Sequence, residues 1–252
     1  MVGSEVKTTK EGFKLYLHKA AHKKHPETVI FVHHMWGSHK TTWRHYRLLN
    51  ELGYDCITFD LLWGNDLKNQ LIHPYARYFY NGIFYIWYKQ IQSILNEIEG
   101  DKIMYSFSGP SVSAMWATEK RTDVKKLICD GGPFQKIYSN TRNFFYQQIG
   151  IRNPTLNKIV TFFGTAIWGF HPLSKLDRTL KNWNTKIPIL NIRGVKDDIV
   201  DIETMRVIFK GHDHLDLTVV ELPEGKHLDG LREFPVEYTK VITEFLQRPN
   251  LL

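Results

Sequence analysis

Short apolar runs alternate with helical patterns along this chain from residue 28 to its end, and this alternation limits the possible folds more than any other feature. The runs at 123–129, 186–194 and 217–222 are typical of strands. The helical patterns include 41–52, 201–210 and 235–246. Such an order predicts a mostly parallel sheet with helices on both faces. With 252 residues, the chain is long enough for one α/β domain spanning 1–252, with a large core and one insertion.

Three segments depart from this alternation. Residues 13–18 alternate apolar and polar side chains, which predicts an antiparallel edge strand. Residues 70–99 are rich in aromatic side chains, and residues 136–183 contain helical patterns but no strand. The last segment lies between two predicted strands, so we expect a small helical insertion there. Its apolar residues either roof a pocket or hold the insertion on the core: Phe144, Phe145, Phe162, Phe163, Ile167, Trp168 and Phe170.

The sequence Ser-Phe-Ser-Gly-Pro at 106–110 directly follows an apolar run and precedes a helical pattern. A serine between a strand and a helix, with small neighbours, is what a nucleophile elbow requires, because the tight turn lifts the serine hydroxyl off the sheet. Ser108 is the candidate nucleophile. Ser106 and Pro110 occupy the two positions where such elbows usually have glycine. The alternative is that Ser108 is only a small residue in a tight turn.

Two further polar residues follow predicted strands. Asp197 comes three residues after Gly194, and His227 lies in the loop after the strand at 217–222. The order Ser108, Asp197, His227 resembles the α/β-hydrolase superfamily, and segments 29–33 and 52–60 are similar to its early strands and turns. The resemblance covers nearly the whole chain. It implies an α/β-hydrolase fold with a helical cap at 136–183.

The resemblance also implies roles for these residues. Ser108 would be the nucleophile, His227 its general base, and Asp197 the carboxylate that orients His227. Asp198 is an alternative acid one residue away, and Asp201 a more distant one.

The resemblance further implies that the backbone N–H groups of Gly109 and Met35 form an oxyanion hole. Pro110 has no N–H, but the donor in such elbows is the residue directly after the nucleophile. His34 stands where the family has glycine, so either the backbone adapts or the His34 side chain enters the site. His33 is expected to be a structural histidine that bridges loops. The candidate substrate-binding residues are His34, Trp36, Phe145, Phe162 and Trp168.

These residues predict a serine hydrolase that cleaves a carboxylic ester or thioester of a small-to-medium acyl chain through an acyl-enzyme. An acyltransferase with the same three residues is an alternative, as is an inactive member of the fold that binds a ligand or a partner protein. A small acyl ester or thioester is the expected partner. Oligomeric state is not predicted.

Composition excludes several other classes. The formal net charge of +7 would allow contact with nucleic acids or anionic membranes. However, the cations are scattered and not interleaved with aromatics, which favours a solvated surface and argues against a nucleic-acid groove. No apolar run reaches the roughly 20 residues of a membrane span. The first ten residues lack the apolar stretch of a secretory signal, so we expect a cytoplasmic protein.

Cofactors and metals are not expected. No glycine-rich phosphate loop or dinucleotide fingerprint follows the first strands. His212 and His214 alternate on an extended segment without a clear third ligand, so no metal site is predicted. Cys56 and Cys129 fall inside predicted strands and are expected to be buried thiols.

Overall fold

The computed structural model of the protein describes residues 5–62, 73–168 and 172–249, so Phe170 lies outside the described residues. Its centre is an eight-stranded sheet. The strands are β1 (Glu5–Thr8), β2 (Lys14–His18), β3 (Thr28–Val32), β4 (Asp55–Phe59), β5 (Lys102–Phe107), β6 (Val124–Asp130), β7 (Ile189–Gly194) and β8 (Leu217–Leu222).

The strands lie in the order β1-β2-β4-β3-β5-β6-β7-β8. β1 and β2 are antiparallel to their neighbours, whereas β3 to β8 are mutually parallel. The predicted mostly parallel sheet is therefore confirmed, as is the antiparallel direction of the segment at 13–18. The prediction that this segment, β2, lies at the edge of the sheet is wrong, because β1 pairs with β2 on its outer side. All four residues of β1 are exposed, so it has no apolar pattern by which the sequence could reveal it.

Helices connect the strands. Their bounds are α1 (Trp43–Glu51), a 3-10 helix (Pro74–Asn81), α2 (Ile83–Glu97), α3 (Ser111–Thr118), α4 (Ile137–Gln147), α5 (Pro154–Trp168), α6 (Pro172–Lys181), α7 (Ile202–Arg206), α8 (Gly230–Glu233) and α9 (Pro235–Gln247). The predicted insertion at 136–183 thus contains α4, α5 and α6, between β6 and β7. Among the described residues, no helix is both long and apolar enough to cross a membrane.

Alternate residues of the central strands face two separate hydrophobic layers, as period-two side-chain geometry requires. On β5, Met104 packs with α2 and α3 on one face of the sheet. Its neighbours Ile103 and Tyr105 pack with α1 and α9 on the other face. Helices therefore cover both faces, as predicted. Cys56 and Cys129 are free, buried thiols within β4 and β6.

The parallel strands β5, β6, β7 and β8 end at the same edge of the sheet. The loops that follow them contain Ser108, Gly131, Asp197 and His227. Because ligands of open α/β sheets bind outside the carboxyl ends of the strands, this edge is the place to look for a functional site.

Candidate active site

Ser108 occupies a sharp turn between β5 and α3. Its φ is 54°, a left-handed conformation that a non-glycine residue rarely adopts. The Ser108 N–H donates to the Asp130 carbonyl at 2.8 Å, and the Ser108 carbonyl accepts from the Ser111 N–H at 3.1 Å. These bonds hold the strained residue at the end of β5 and start α3. The backbone geometry expected of a nucleophile elbow is present.

The replaced glycines fit this turn. Ser106 is fully buried, and its hydroxyl donates to the Ile128 carbonyl at 3.2 Å, so its polar group has a partner. Pro110 stands just before α3, where an N–H has no partner within the helix. The Pro110 carbonyl accepts from the Ala114 N–H at 3.0 Å. Neither substitution disrupts the turn.

Two glycines after β6 lie against both Ser108 and His227. A Cβ on Gly132 would stand 2.1 Å from the Ser108 carbonyl oxygen, so only glycine allows this approach. A Cβ on Gly131 would stand 3.5 Å from Cε1 of His227. Asn191 of β7 holds the segment in place by donating to the Gly132 carbonyl at 2.6 Å. The Ser108 turn and His227 therefore share one short supporting segment.

Asp197 is the carboxylate that pairs with His227. The His227 Nδ1–H donates to Oδ2 of Asp197 at 2.6 Å, which leaves Nε2 without a hydrogen and able to accept one. The other Asp197 oxygen, Oδ1, accepts from the Ile199 and Val200 N–H groups at 2.9 and 2.8 Å. The Asp197 side chain is 1% exposed. Three hydrogen bonds thus fix the carboxylate in one orientation.

The two alternative acids have other positions. Asp198 is exposed and lies at the wall of the cavity described below. Asp201 caps α7 by accepting from the Glu203 N–H at 2.9 Å. Neither makes the bond to His227.

A cavity of about 580 Å³ lies over this edge of the sheet. Ser108, Gly109, Met35 and His227 all line it. The opposite wall comes from the 136–183 segment, through Ile137, Asn140, Thr141, Phe144, Gln148, Ile149 and Trp168. The cavity therefore lies between the sheet and this helical segment.

The turn after β3 carries the second predicted N–H donor. His33 anchors it: its Nδ1–H donates to the His34 carbonyl at 2.7 Å, and its Nε2 accepts from the Leu61 N–H at 2.9 Å. Burial lowers the pKa of His33 to about 4, so the ring is neutral and bridges two loops, as expected. Among the described residues, neither the Met35 nor the Gly109 N–H has a protein acceptor. Both residues line the cavity.

His34 stands where the resemblance expects glycine, and both the backbone and the side chain there differ from that expectation. Its own φ is not positive; the positive value, 66°, falls on Trp36 two residues later. The His34 ring lines the cavity and donates from Nδ1 to the Met35 carbonyl at 2.8 Å. Burial lowers the pKa of His34, so the ring is neutral at pH 7. The backbone has adapted, and the side chain has also entered the site.

Comparison with known proteins gives the fold. No protein-family model matches the sequence, and no curated protein sequence matches it either. Solved structures do match. An esterase from Pyrococcus furiosus is 18% identical, with a TM-score of 0.67 over 98% of this chain and 92% of that one. A bromoperoxidase from Bacillus anthracis is 16% identical, with a TM-score of 0.63 over 97% of this chain and 100% of that one. An acylaminoacyl peptidase from Pyrococcus horikoshii is also 16% identical, with a TM-score of 0.68, over 98% of this chain but 41% of that one.

The protein has the α/β-hydrolase fold. Ser108, Asp197 and His227 follow β5, β7 and β8 of this sheet, at the places where the sequence resemblance put a nucleophile, an acid and a base.

The candidate substrate-binding residues are divided by the structure. His34, Trp36 and Trp168 line the cavity of this α/β-hydrolase fold. Phe145 and Phe162 are not among its lining residues, and the expectation for them is corrected. Phe145 packs against α5, where a Cβ on Gly164 would stand 2.7 Å from its ring, and Phe162 is 65% exposed on the outer face of α5. Phe144, next to Phe145, lines the cavity instead and contacts Trp36 with ring centroids 5.9 Å apart.

Sequence reasoning missed a buried polar cluster behind the Ser108 turn. Oδ2 of Asp130 accepts from the Tyr238 hydroxyl at 2.5 Å, and Tyr238 also hydrogen-bonds to the Tyr105 hydroxyl. His45 lies nearby, with its Nε2 3.9 Å from the Asp130 carboxylate. Burial raises the pKa of Asp130 to about 6, and the Tyr238 hydrogen bond opposes that rise. The sequence pattern does not show which polar residues of different strands and helices contact each other, so no sequence signal identified this cluster.

His212 and His214 make other contacts. His214 Nε2 donates to the Leu180 carbonyl at 2.9 Å, and His212 Nε2 lies 3.4 Å from Asp177, so both join the β7–β8 connection to α6. In the described parts of the chain, no group of three or more His, Cys, Asp or Glu side chains is arranged to hold a metal ion.

Proposed function

We propose that this protein is a serine hydrolase that cleaves a carboxylic ester or thioester of a small-to-medium acyl chain. The observation that carries the proposal is the 2.6 Å hydrogen bond between His227 Nδ1 and Asp197, in a cavity that Ser108 also lines. A serine alone is a poor nucleophile, and a histidine held in this tautomer is the base that activates it. The esterase name of one structural neighbour agrees with this reaction class.

In the proposed acylation step, the Ser108 hydroxyl attacks the carbonyl carbon of the substrate while its proton passes to Nε2 of His227. The imidazolium that forms is stabilised by the buried Asp197 carboxylate. His227 then returns the proton to the leaving alcohol or thiol as the carbon–oxygen or carbon–sulfur bond breaks. The acyl group remains on Ser108 Oγ as an ester.

The negative oxygen of the tetrahedral intermediate needs preorganised donors. Met35 and Gly109 line the cavity, and their N–H groups have no protein acceptor among the described residues, which supports their assignment as the oxyanion hole. Each such donor contributes about 100- to 1000-fold to turnover. Water then attacks the acyl-enzyme with His227 as base, and Ser108 is regenerated.

The 136–183 segment is proposed to act as a cap over an acyl pocket. Its lining residues Ile137, Phe144 and Trp168 are apolar, as is Phe84 on the core side. A cavity of about 580 Å³ is in the usual range for small-molecule sites. The charged residues of the wall comprise two cations (Lys226, Arg232) and two carboxylates (Asp198, Asp229), a balance that suits an uncharged acyl substrate.

Hydrolysis of p-nitrophenyl butyrate tests this function. Ser108→Ala should reduce the release of p-nitrophenol by several orders of magnitude. Ser106→Ala is the matched control: it removes a nearby buried hydroxyl outside the cavity wall and should remain active. Equal rates for the wild type and Ser108→Ala would overturn the proposal. A single burst of product, with turnover only after an added alcohol or thiol acceptor, would assign the protein as an acyltransferase.

A further inference from the structure

Helix α5 (Pro154–Trp168) has a reversed burial pattern. A surface helix normally turns its apolar side inward and its polar side to water. Here Asn157 and Thr161 are 3% and 0% exposed, whereas Phe162 and Phe163 are 65% and 63% exposed. Five large apolar side chains between 45% and 65% exposed form what we call the α5 apolar face: Leu156, Ile159, Phe162, Phe163 and Ile167. Their spacing places them on one side of the helix.

Specific contacts hold α5 in this orientation. The Asn157 amide donates to the Ile151 carbonyl at 3.1 Å, and the Thr161 hydroxyl donates to Oδ1 of Asn157 at 3.3 Å. Gly164 allows α5 to approach the Phe145 ring, which a Cβ would meet at 2.7 Å. At its end, Trp168 stacks on Phe84 of the core with ring centroids 5.0 Å apart. The apolar face is therefore exposed because the opposite side of the helix is built to pack.

The charges of the segment that contains α5 have one sign. Between Asp130 and Asp177 the sequence contains no Asp or Glu, but it contains five cations: Lys136, Arg142, Arg152, Lys158 and Lys175. The first four of these are exposed. An exposed apolar patch marks an interaction surface. When cations flank it and carboxylates are missing, its complement is an apolar surface with negative charge at its rim.

We propose that the α5 apolar face docks on the surface of an anionic lipid bilayer, lying in the interface with its phenylalanines among the acyl chains. The headgroups supply negative charge to the cations, and the acyl chains supply an apolar phase to Leu156, Ile159 and the phenylalanines. A second copy of this chain is a poorer complement, because pairing two such faces would bring two acid-free, cationic segments together. The proposal is independent of the catalytic assignment, because docking is measured without turnover.

Co-sedimentation of the full chain with vesicles tests the proposal. The wild type should bind vesicles of phosphatidylcholine mixed with phosphatidylglycerol, and bind vesicles of phosphatidylcholine alone more weakly. High salt should reduce the binding. Combining Phe162→Ser with Phe163→Ser should lower the partition coefficient by about tenfold or more, and Lys158→Gln alone by roughly fivefold. Val236→Ser, which changes an 81% exposed apolar residue on α9, is the matched control and should bind as the wild type does.

Two results would overturn the docking proposal. One is wild-type binding that is undetectable at low salt or equal for the two vesicle types. The other is unchanged binding by the double serine variant and by Lys158→Gln. Light scattering adds a separate reading: a dimer that the double serine variant dissociates, together with no vesicle binding, would assign the face to self-association. Thermal unfolding of every variant verifies that the fold is intact, and p-nitrophenyl butyrate hydrolysis should be unchanged throughout.

Discussion

Asp197→Asn keeps the size of the side chain and changes only the oxygen that faces His227. The asparagine Oδ1 can still accept from the Ile199 and Val200 N–H groups, as the Asp197 Oδ1 does. Its amide N–H₂ then occupies the position of the Asp197 Oδ2, which in the wild type accepts from His227 at 2.6 Å. Two donors cannot share that contact. The histidine must therefore move its hydrogen from Nδ1 to Nε2, where it can no longer accept the Ser108 proton.

The size of this effect follows from the loss of the base. A histidine held in the wrong tautomer lowers turnover by about 10,000-fold, equivalent to about 5.5 kcal/mol of transition-state stabilisation. The free energy of unfolding should fall by less, about 1–3 kcal/mol, since only one charge-assisted hydrogen bond of a buried group is exchanged. The variant should therefore be folded and almost inactive.

Steady-state hydrolysis of p-nitrophenyl butyrate, measured beside urea unfolding, checks this prediction. Asp198→Asn is the matched control, because it neutralises the adjacent, exposed carboxylate and should keep kcat/KM within about threefold of the wild type. An Asp197→Asn variant with near wild-type activity would refute the assignment of Asp197. A large loss in Asp198→Asn instead would move the acid to that residue.

Three further predictions concern the surroundings of the site. Burial raises the Asp130 pKa from an ordinary 3.8 to about 6, so the folded state favours the protonated carboxyl, and stability is lost as pH rises through 6. In urea unfolding, Asp130→Asn should therefore have a free energy of unfolding at most about 3 kcal/mol above that of the wild type near pH 7.5, and little above it near pH 3.5; equal differences at both pH values would contradict this. Gly132→Ala should lower kcat at least about tenfold, because its Cβ would stand 2.1 Å from the Ser108 carbonyl oxygen; an unchanged rate would show that the turn tolerates this shift. Phe144→Ala should shift the preference among acetyl, butyryl and octanoyl esters, because Phe144 lines the cavity. Phe162→Ala should leave that preference unchanged, because Phe162 is exposed outside the cavity. Identical chain-length profiles for Phe144→Ala and the wild type would contradict the acyl-pocket assignment.

The sheet and the order of its site residues could be predicted because both depend on local signals. Short apolar runs identify β3 to β8, and the carboxyl ends of parallel strands meet at one edge. A polar residue just past such an end is therefore a candidate, which led to Ser108, Asp197 and His227. β1 was not predicted because Glu5–Thr8 is exposed throughout and therefore has no apolar run.

The interior of the site could not be predicted in the same way. Helical spacing shows that Phe145, Phe162 and Trp168 lie on helices, but it does not show which side of each helix turns inward. On α5 the usual assumption fails, because buried Asn157 and Thr161 displace the apolar residues to the outside. The Asp130–Tyr238 hydrogen bond joins residues 108 positions apart, and only the packing of α9 on the sheet brings them together.

Covalent labelling of Ser108 tests the central claim most directly. The wild type should react with a fluorophosphonate probe and gain the mass of one phosphonyl group, and digestion followed by mass spectrometry should locate that group on the peptide containing Ser108. Ser108→Ala should not react, and His227→Ala should react far more slowly because its serine lacks a base. Label on another residue, or equal labelling of the wild type and Ser108→Ala, would contradict the account.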